Sequence, residues 1–255
     1  MKKIVILFAL FATLLYAGGL PSWYYKIKSV QKQKEAFVKI MLPLIKRANK
    51  NTLKEREFIE NFFKSLQKKG FGKVESNDLQ RLAYLSKKYK IKNFFDEQAY
   101  LLKIDKVPVS LALTQAAIES AWGKSRFAKY ANNLFGEWTY YGKGLVPERR
   151  GEGKTHKIRI FASLQDSVNS YVTNLNRNSA YKEFRFQRYQ ARMLGGFYRG
   201  TDAAKTMVKY SELRGQYVSM ITKFMKRNHF LRYDDMQQNE DNKNITMQTY
   251  AYLIR

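Results

Sequence analysis

The apolar positions along the chain predict a series of helices interrupted once by a short run of strands. Between Lys26 and Lys50, the residues Phe37, Ile40, Met41, Leu44 and Ile45 recur at helical spacing, with Pro43 placed to kink the helix. Thr52 followed by Glu55 has the form of a capping box. It predicts a new helix in which Leu53, Phe58, Ile59, Phe62, Phe63 and Leu66 share one face until Gly70 stops it. A further helix fits Asn77 to Tyr89, with Leu79, Leu82, Ala83 and Leu85 inside, and another fits about Phe94 to Leu102.

The period then changes. Leu134 to Tyr141 is aromatic and compatible with a strand, Gly142-Lys143-Gly144 is a turn, and Thr155 to Phe161 alternates with His156, Ile158 and Ile160 on one side. Ser163 to Asp166 is a capping-box variant that opens another helix, with Val168, Tyr171, Val172 and Leu175 on its apolar side. Two last helices, about Asp202 to Lys209 and Glu212 to Arg227, carry Ala203, Met207, Val208, Leu213, Tyr217, Met220, Ile221 and Phe224 as a buried stripe that reads as scaffold. Between these helical stretches, "FRFQRYQARMLGGFYRG" reads as an outer basic face of the body, and the polar stretch from Asp234 onward as a loosely ordered tail. The pattern describes a mainly α protein with a small β-lobe, an α+β class.

Composition changes the picture in three ways. With 47 Lys and Arg against 21 Asp and Glu, the formal charge is +26, a field suited to anionic polymers or surfaces. Lys2 and Lys3 precede an apolar run, Ile4 to Tyr16, and the small residues Ala17-Gly18-Gly19, a sequence expected of a signal peptide spanning residues 1–17, with an uncleaved anchor as the alternative. Export to the periplasm or cell envelope makes nucleic acid an unexpected partner and leaves anionic wall or membrane. The chain has no cysteine and two histidines far apart, so neither a thiol nucleophile nor a metal site is expected, and no cofactor is implied. Carboxylates remain as the expected chemistry.

One carboxylate stands apart. Pro108 suits the first turn of a helix whose stretch Val109 to Ile118 carries no charge, and Glu119 follows immediately. An ionised carboxylate in such surroundings is costly, so it must either find partners or keep its proton with a raised pKa. A carboxylic acid still protonated near neutral pH is what protonates the leaving oxygen in glycoside cleavage. The alternative is a structural ion pair with Lys124 or Arg126.

The stretch "ALTQAAIESAWGKSRFAKYANNLFG" resembles the glucosaminidase domain of peptidoglycan hydrolases, and the longer pattern is similar to the Bax group within that family. "GLVPERRGEGKTHKIRIFASLQDSVNSYVTNLNRNSAYKEFR", "YSELRGQYVSMI" and "NHFLRYDD" extend the likeness over about residues 30 to 235. The resemblance implies a lysozyme-like catalytic domain at 95–232, preceded by a basic helical region at 18–94 and followed by a polar tail at 233–255. It also implies Glu119 as the general acid and Tyr171 beside it.

For a second carboxylate the order of preference is Glu148, which lies among cations, then Glu152, between glycines, then Glu137. Trp122, Phe135, Trp138 and Tyr140 are candidates for stacking on pyranose faces, and Asn132 and Asn133 for bonding hydroxyl or acetamido groups. The expected activity is an endo-β-N-acetylglucosaminidase acting on peptidoglycan strands. A muramidase or lytic transglycosylase, and a non-catalytic basic module holding wall or membrane, are the alternatives. Oligomeric state is left open by the sequence.

Overall fold

The computed structural model describes residues 18–148 and 153–239. It is a helical body with a small antiparallel β-lobe on one side. A short helix α1 (Ser22–Tyr25) leads into α2 (Val30–Lys69), a 40-residue helix about 60 Å long. The Ser29 hydroxyl accepts from the Lys32 N–H at its start, and Gly70, at φ 71°, ends it.

The second helix expected from Thr52 does not begin there, because α2 runs through. Nothing nearby breaks it, and the supposed cap is used otherwise: the Thr52 hydroxyl bonds back to the Ala48 carbonyl at 3.1 Å. Glu55 does not reach back to a cap but accepts from Lys88 Nζ at 2.6 Å and the buried Tyr89 hydroxyl at 2.5 Å. Pro43 is accommodated inside the helix.

The two halves of α2 serve different cores. Ile59, Phe62 and Phe63 pack with Leu82, Leu85 and Tyr89 of α3 (Ser76–Tyr89) and with Tyr100 of α4 (Glu97–Lys103). Phe37, Met41, Ile45 and Ala48 join the main cluster around α5 (Val109–Glu119), which is buried from Val109 through Ala117. Such a helix is stable only when enclosed. Here α2, α7 (Leu164–Arg177), α9 (Gly200–Lys205) and α10 (Gly215–Arg227) supply apolar residues to that cluster, including Val168, Tyr171, Ala203, Tyr217 and Ile221. None of the described helices is long and apolar enough to cross a membrane.

After α6 (Arg126–Ala131), three short strands form the lobe: β1 (Trp138–Thr139), β2 (Gly144–Leu145) and β3 (Lys157–Arg159), in the order β1-β3-β2. Trp138 pairs with Ile158, and Gly144 with Arg159. The strands are shorter than the aromatic run suggested, and Gly144 joins a strand as well as the turn.

Three further expectations are corrected. In α8 (Lys182–Met193), Arg185 and Arg188 are buried, so the basic segment is not simply an outer face: their guanidinium groups donate to the carbonyls of Leu175, Asn178, Asp105 and Lys106. Val208, Leu213 and Met220 are exposed instead of joining the last stripe. The stretch 232–239 is helical instead of loose, because Asp234 is buried and accepts from the Ser110 N–H and hydroxyl and from the Gly200 N–H at 2.5–2.9 Å.

Candidate active site

Glu119 sits at the last position of α5, and an unusual turn holds it there. Ala121, Trp122 and Gly123 all have positive φ, and the Ser120 hydroxyl both donates to the Ala116 carbonyl and accepts from the Gly123 N–H. A Cβ at Gly123 would collide with Leu20, so glycine is required both by its φ and by this close approach. The turn stops the helix where Glu119 meets a cleft of about 860 Å³ between body and lobe. Phe135, Glu137, Trp138 and Ile158 line the lobe side, and Tyr171, Tyr181, Tyr210, Glu212 and Leu213 line the other.

Among the described residues Glu119 pairs with no cation. Its described partner is Tyr217, whose hydroxyl donates to Oε1 at 3.0 Å. The Tyr217 oxygen accepts from Gln115 Nε2 at 3.0 Å, and Gln115 Oε1 accepts from the Tyr171 hydroxyl at 2.5 Å. Every donor in this series points toward Glu119. Since an amide has distinct donor and acceptor ends, Gln115 fixes the direction and leaves the Tyr217 proton to the carboxyl. Burial raises the Glu119 pKa, and the Tyr217 hydrogen bond offsets only part of that rise. Burial likewise raises the pKa of Tyr217 and of Tyr171, so both phenols stay protonated donors.

The sequence-based rival, an ion pair to Lys124 or Arg126, does not form. Arg126 instead pairs with Glu148 at 3.1 Å. That pair is at the surface, with the Glu148 side chain 78% exposed, and Glu148 is not among the residues lining the Glu119 cleft. Glu152 lies outside the described residues.

Glu137, placed last by the sequence, lines the cleft with Glu119. Its Oε2 accepts from the Ser170 hydroxyl at 2.7 Å and lies 3.7 Å from Arg159, while its Oε1 is buried without a hydrogen-bond partner among the described residues. Burial raises its pKa, with Ser170, Arg159 and Arg177 pulling the other way. Ser170 and Arg159, which hold it, come from α7 and β3, so no residue close to Glu137 in sequence points to its place in the cleft.

The expected sugar-binding residues divide. Phe135 stacks face to face on Tyr171, with centroids 4.0 Å apart, and both line the cleft. Trp138 is exposed at its mouth and stacks on His156. Tyr140 is exposed on the lobe but is not part of the lining. Trp122 points away, packed against Phe37, Phe224 and Phe230, because the left-handed turn carries its ring to the far side of α5.

Asn132 and Asn133 are buried and spend their amides on the backbone. Asn132 joins Gly19 to Phe161, and Asn133 bonds Glu137 and Arg159, which makes them braces of the lobe instead of sugar contacts. Tyr217 and Gln115 were missed. Gln115 could have been found from its i, i+4 spacing to Glu119, whereas Tyr217 looked like one more member of a buried stripe.

The glucosaminidase family, described as mannosyl-glycoprotein endo-beta-N-acetylglucosaminidase, matches residues 97–230. The chain is also 33% identical over 172 residues to the curated protein "Protein bax" of Escherichia coli (strain K12), a stretch covering 66% of this chain and 59% of that relative. No solved structure gives a significant match.

Proposed function

This chain belongs to the glucosaminidase family, and we propose that it is a peptidoglycan hydrolase that cleaves the β-1,4 bond after N-acetylglucosamine, with Glu119 as the general acid. The observation that carries this is a half-buried carboxyl facing an open cleft, bonded by a neutral phenol instead of a cation. Such a group keeps its proton to higher pH than an ordinary carboxyl and can give it to a leaving oxygen. Tyr217 holds Oε1, which leaves Oε2 for proton delivery, and then stabilises the carboxylate formed.

Glu137 is the second carboxyl of this proposal. Its place in the lining of the same cleft as Glu119 carries this assignment; burial raises its pKa as it does for Glu119, and Ser170, Arg159 and Arg177 offset part of that rise. Phe135 and Tyr171, buried and stacked on each other, form the floor of the cleft, and Trp138 supplies an exposed ring at the rim. Export to the compartment that holds peptidoglycan, through the apolar stretch of residues 4–16, is part of the same proposal.

The test is digestion of purified peptidoglycan by the protein and by Glu119→Gln, followed by borohydride reduction and mass spectrometry. N-acetylglucosaminitol at the new reducing ends, lost in the variant, supports the proposal. N-acetylmuramitol or an anhydromuramic product would reassign the bond to a muramidase or lytic transglycosylase, and no release by the native protein would leave a binding module.

A further inference from the structure

The chain carries 47 lysines and arginines, yet among the described residues none of them lines the Glu119 cleft. The charged side chains in that lining are Glu119, Glu137 and Glu212. Such a cleft repels carboxylate and phosphate groups, so a ligand acceptor that settles in it has to be neutral. The donors that meet it are neutral as well.

Two tyrosines near Glu119 spend their protons inside the protein, Tyr171 on Gln115 and Tyr217 on Glu119. Tyr181 does not. It closes the short helical turn Ser179–Tyr181 that follows α7, where the Asn178 side chain accepts from the Ala180 N–H and the Tyr181 N–H returns to the Asn178 carbonyl at 3.1 Å. Its ring packs against Tyr210 with centroids 6.0 Å apart, is 7% exposed and lines the cleft. Among the described residues the Tyr181 hydroxyl makes no hydrogen bond.

Tyr181 also lies within the field of both cleft carboxyls. Burial pushes its pKa up to about 12, with Glu137 and then Glu119 adding to the rise, so the hydroxyl stays a protonated donor. Neither carboxyl is bonded to it, which leaves the space beside Glu119 to a ligand. Asn174 of α7 lines the same cleft; its oxygen accepts from Asn178 at 3.2 Å, while its nitrogen makes no hydrogen bond among the described residues. Polar groups withdrawn from bulk water are ordinarily paired, and two unused neutral donors in one wall therefore point to an acceptor brought by the ligand.

Resting on the glycan-cleaving reading of this cleft, we propose that Tyr181 is a specificity-determining residue whose hydroxyl donates to the carbonyl oxygen of the substrate's acetamido group, with the Asn174 amide as a second donor. An acetamido oxygen is neutral and accepts without donating, which matches a wall that offers donors and no cation. Its methyl group finds Phe135 and Ile158 in the same lining. A sugar hydroxyl or a water accepts the same proton but brings no methyl, and a carboxylate is repelled.

The test measures binding separately from cleavage, by NMR titration of the full chain carrying Glu119→Gln. The probes are two neutral tetrasaccharides, one of β-1,4-linked N-acetylglucosamine and one of β-1,4-linked glucose, which differ in carrying an acetamido group or a hydroxyl at the same carbon. The N-acetylglucosamine probe binds more tightly. Adding Tyr181→Phe weakens that binding by about 3- to 10-fold, the range for one hydrogen bond, and changes affinity for the glucose probe by less than about twofold. Phenylalanine keeps the ring against Tyr210, and a thermal unfolding curve matching the parent confirms that the fold is intact. Equal weakening for both probes, no weakening for either, or no preference for the N-acetylated probe would each overturn the proposal. Absence of peptidoglycan cleavage by the native protein, with this binding pattern present, would count against the hydrolase reading alone.

Discussion

Two carboxyls withdrawn from solvent, Asp105 fully and Glu119 in part, are treated in opposite ways. Asp105, in the connection between α4 and α5, is enclosed by cations: Arg192 grips it with two bonds at 2.5 and 2.6 Å, and Arg56 approaches to 3.8 Å. Burial alone would raise its pKa, but Arg188, Arg192 and Arg56 outweigh that and hold it below the ordinary range. Among the described residues Glu119 is bonded by the neutral Tyr217 hydroxyl, and its pKa rises with burial. Burial alone therefore does not decide which way the pKa of a carboxyl moves here. The charge of its partners does, and under the proposed function the Glu119 oxygen that faces the cleft is the one that works.

The largest expected effect separates the two directly. Glu119→Gln lowers kcat by about 10²- to 10⁴-fold, the range for loss of a general acid, while thermal unfolding shows a fold no less stable than the native protein. Asp105→Asn does the reverse. It removes the charge that Arg192 grips and that Arg188 and Arg56 face, and costs about 3–5 kcal/mol in a urea titration, with little effect on turnover by the molecules that remain folded. Comparable losses of turnover in both variants would show that the two carboxylates are not distinct.

The pH dependence of stability sharpens the contrast. The raised pKa of Glu119 contributes stability that is present below its unfolded value, about 4.3, and lost as pH rises through the folded value. The lowered pKa of Asp105 contributes stability present above about 3.9 and lost as pH falls through its folded value. Unfolding curves of each variant against the native protein, across the acid range, should diverge with opposite slopes.

A smaller effect is expected from Tyr217→Phe. It removes a hydrogen bond to a group that becomes charged, worth about 1.5–3 kcal/mol, so kcat falls by roughly 10- to 100-fold. The same bond holds the Glu119 pKa down, so the alkaline limb of the rate profile moves to higher pH in the variant. The smallest effect is expected from Glu148→Gln, which loses only an exposed pair to Arg126 and should change rate by less than about twofold and stability by less than about 1 kcal/mol. Glu137→Gln, measured beside it, should give the larger loss.

How much the sequence reveals follows the range of the interactions. The uncharged stretch from Val109 to Ile118 exposes the odd position of Glu119, and the capping box at Ser163 opens α7, because both signals lie within a few residues. The break expected at Thr52 fails for want of tertiary context: Asn49 spends its amide on the Val107 backbone at 2.8–2.9 Å and the helix continues. Glu137 is ambiguous until Ser170 and Arg159 arrive from other elements. Trp122 misleads for a local reason, since the positive φ values of the turn that sends its ring away are not written in residue identity alone.

The most direct measurement is a carbon-detected NMR titration of the Glu119 side-chain carboxyl, assigned by its loss in Glu119→Gln and repeated in Tyr217→Phe. The account predicts a midpoint above the ordinary glutamate value of about 4.3, moving higher still when the Tyr217 hydroxyl is removed. A midpoint at or below that value, unmoved by Tyr217→Phe, would contradict it.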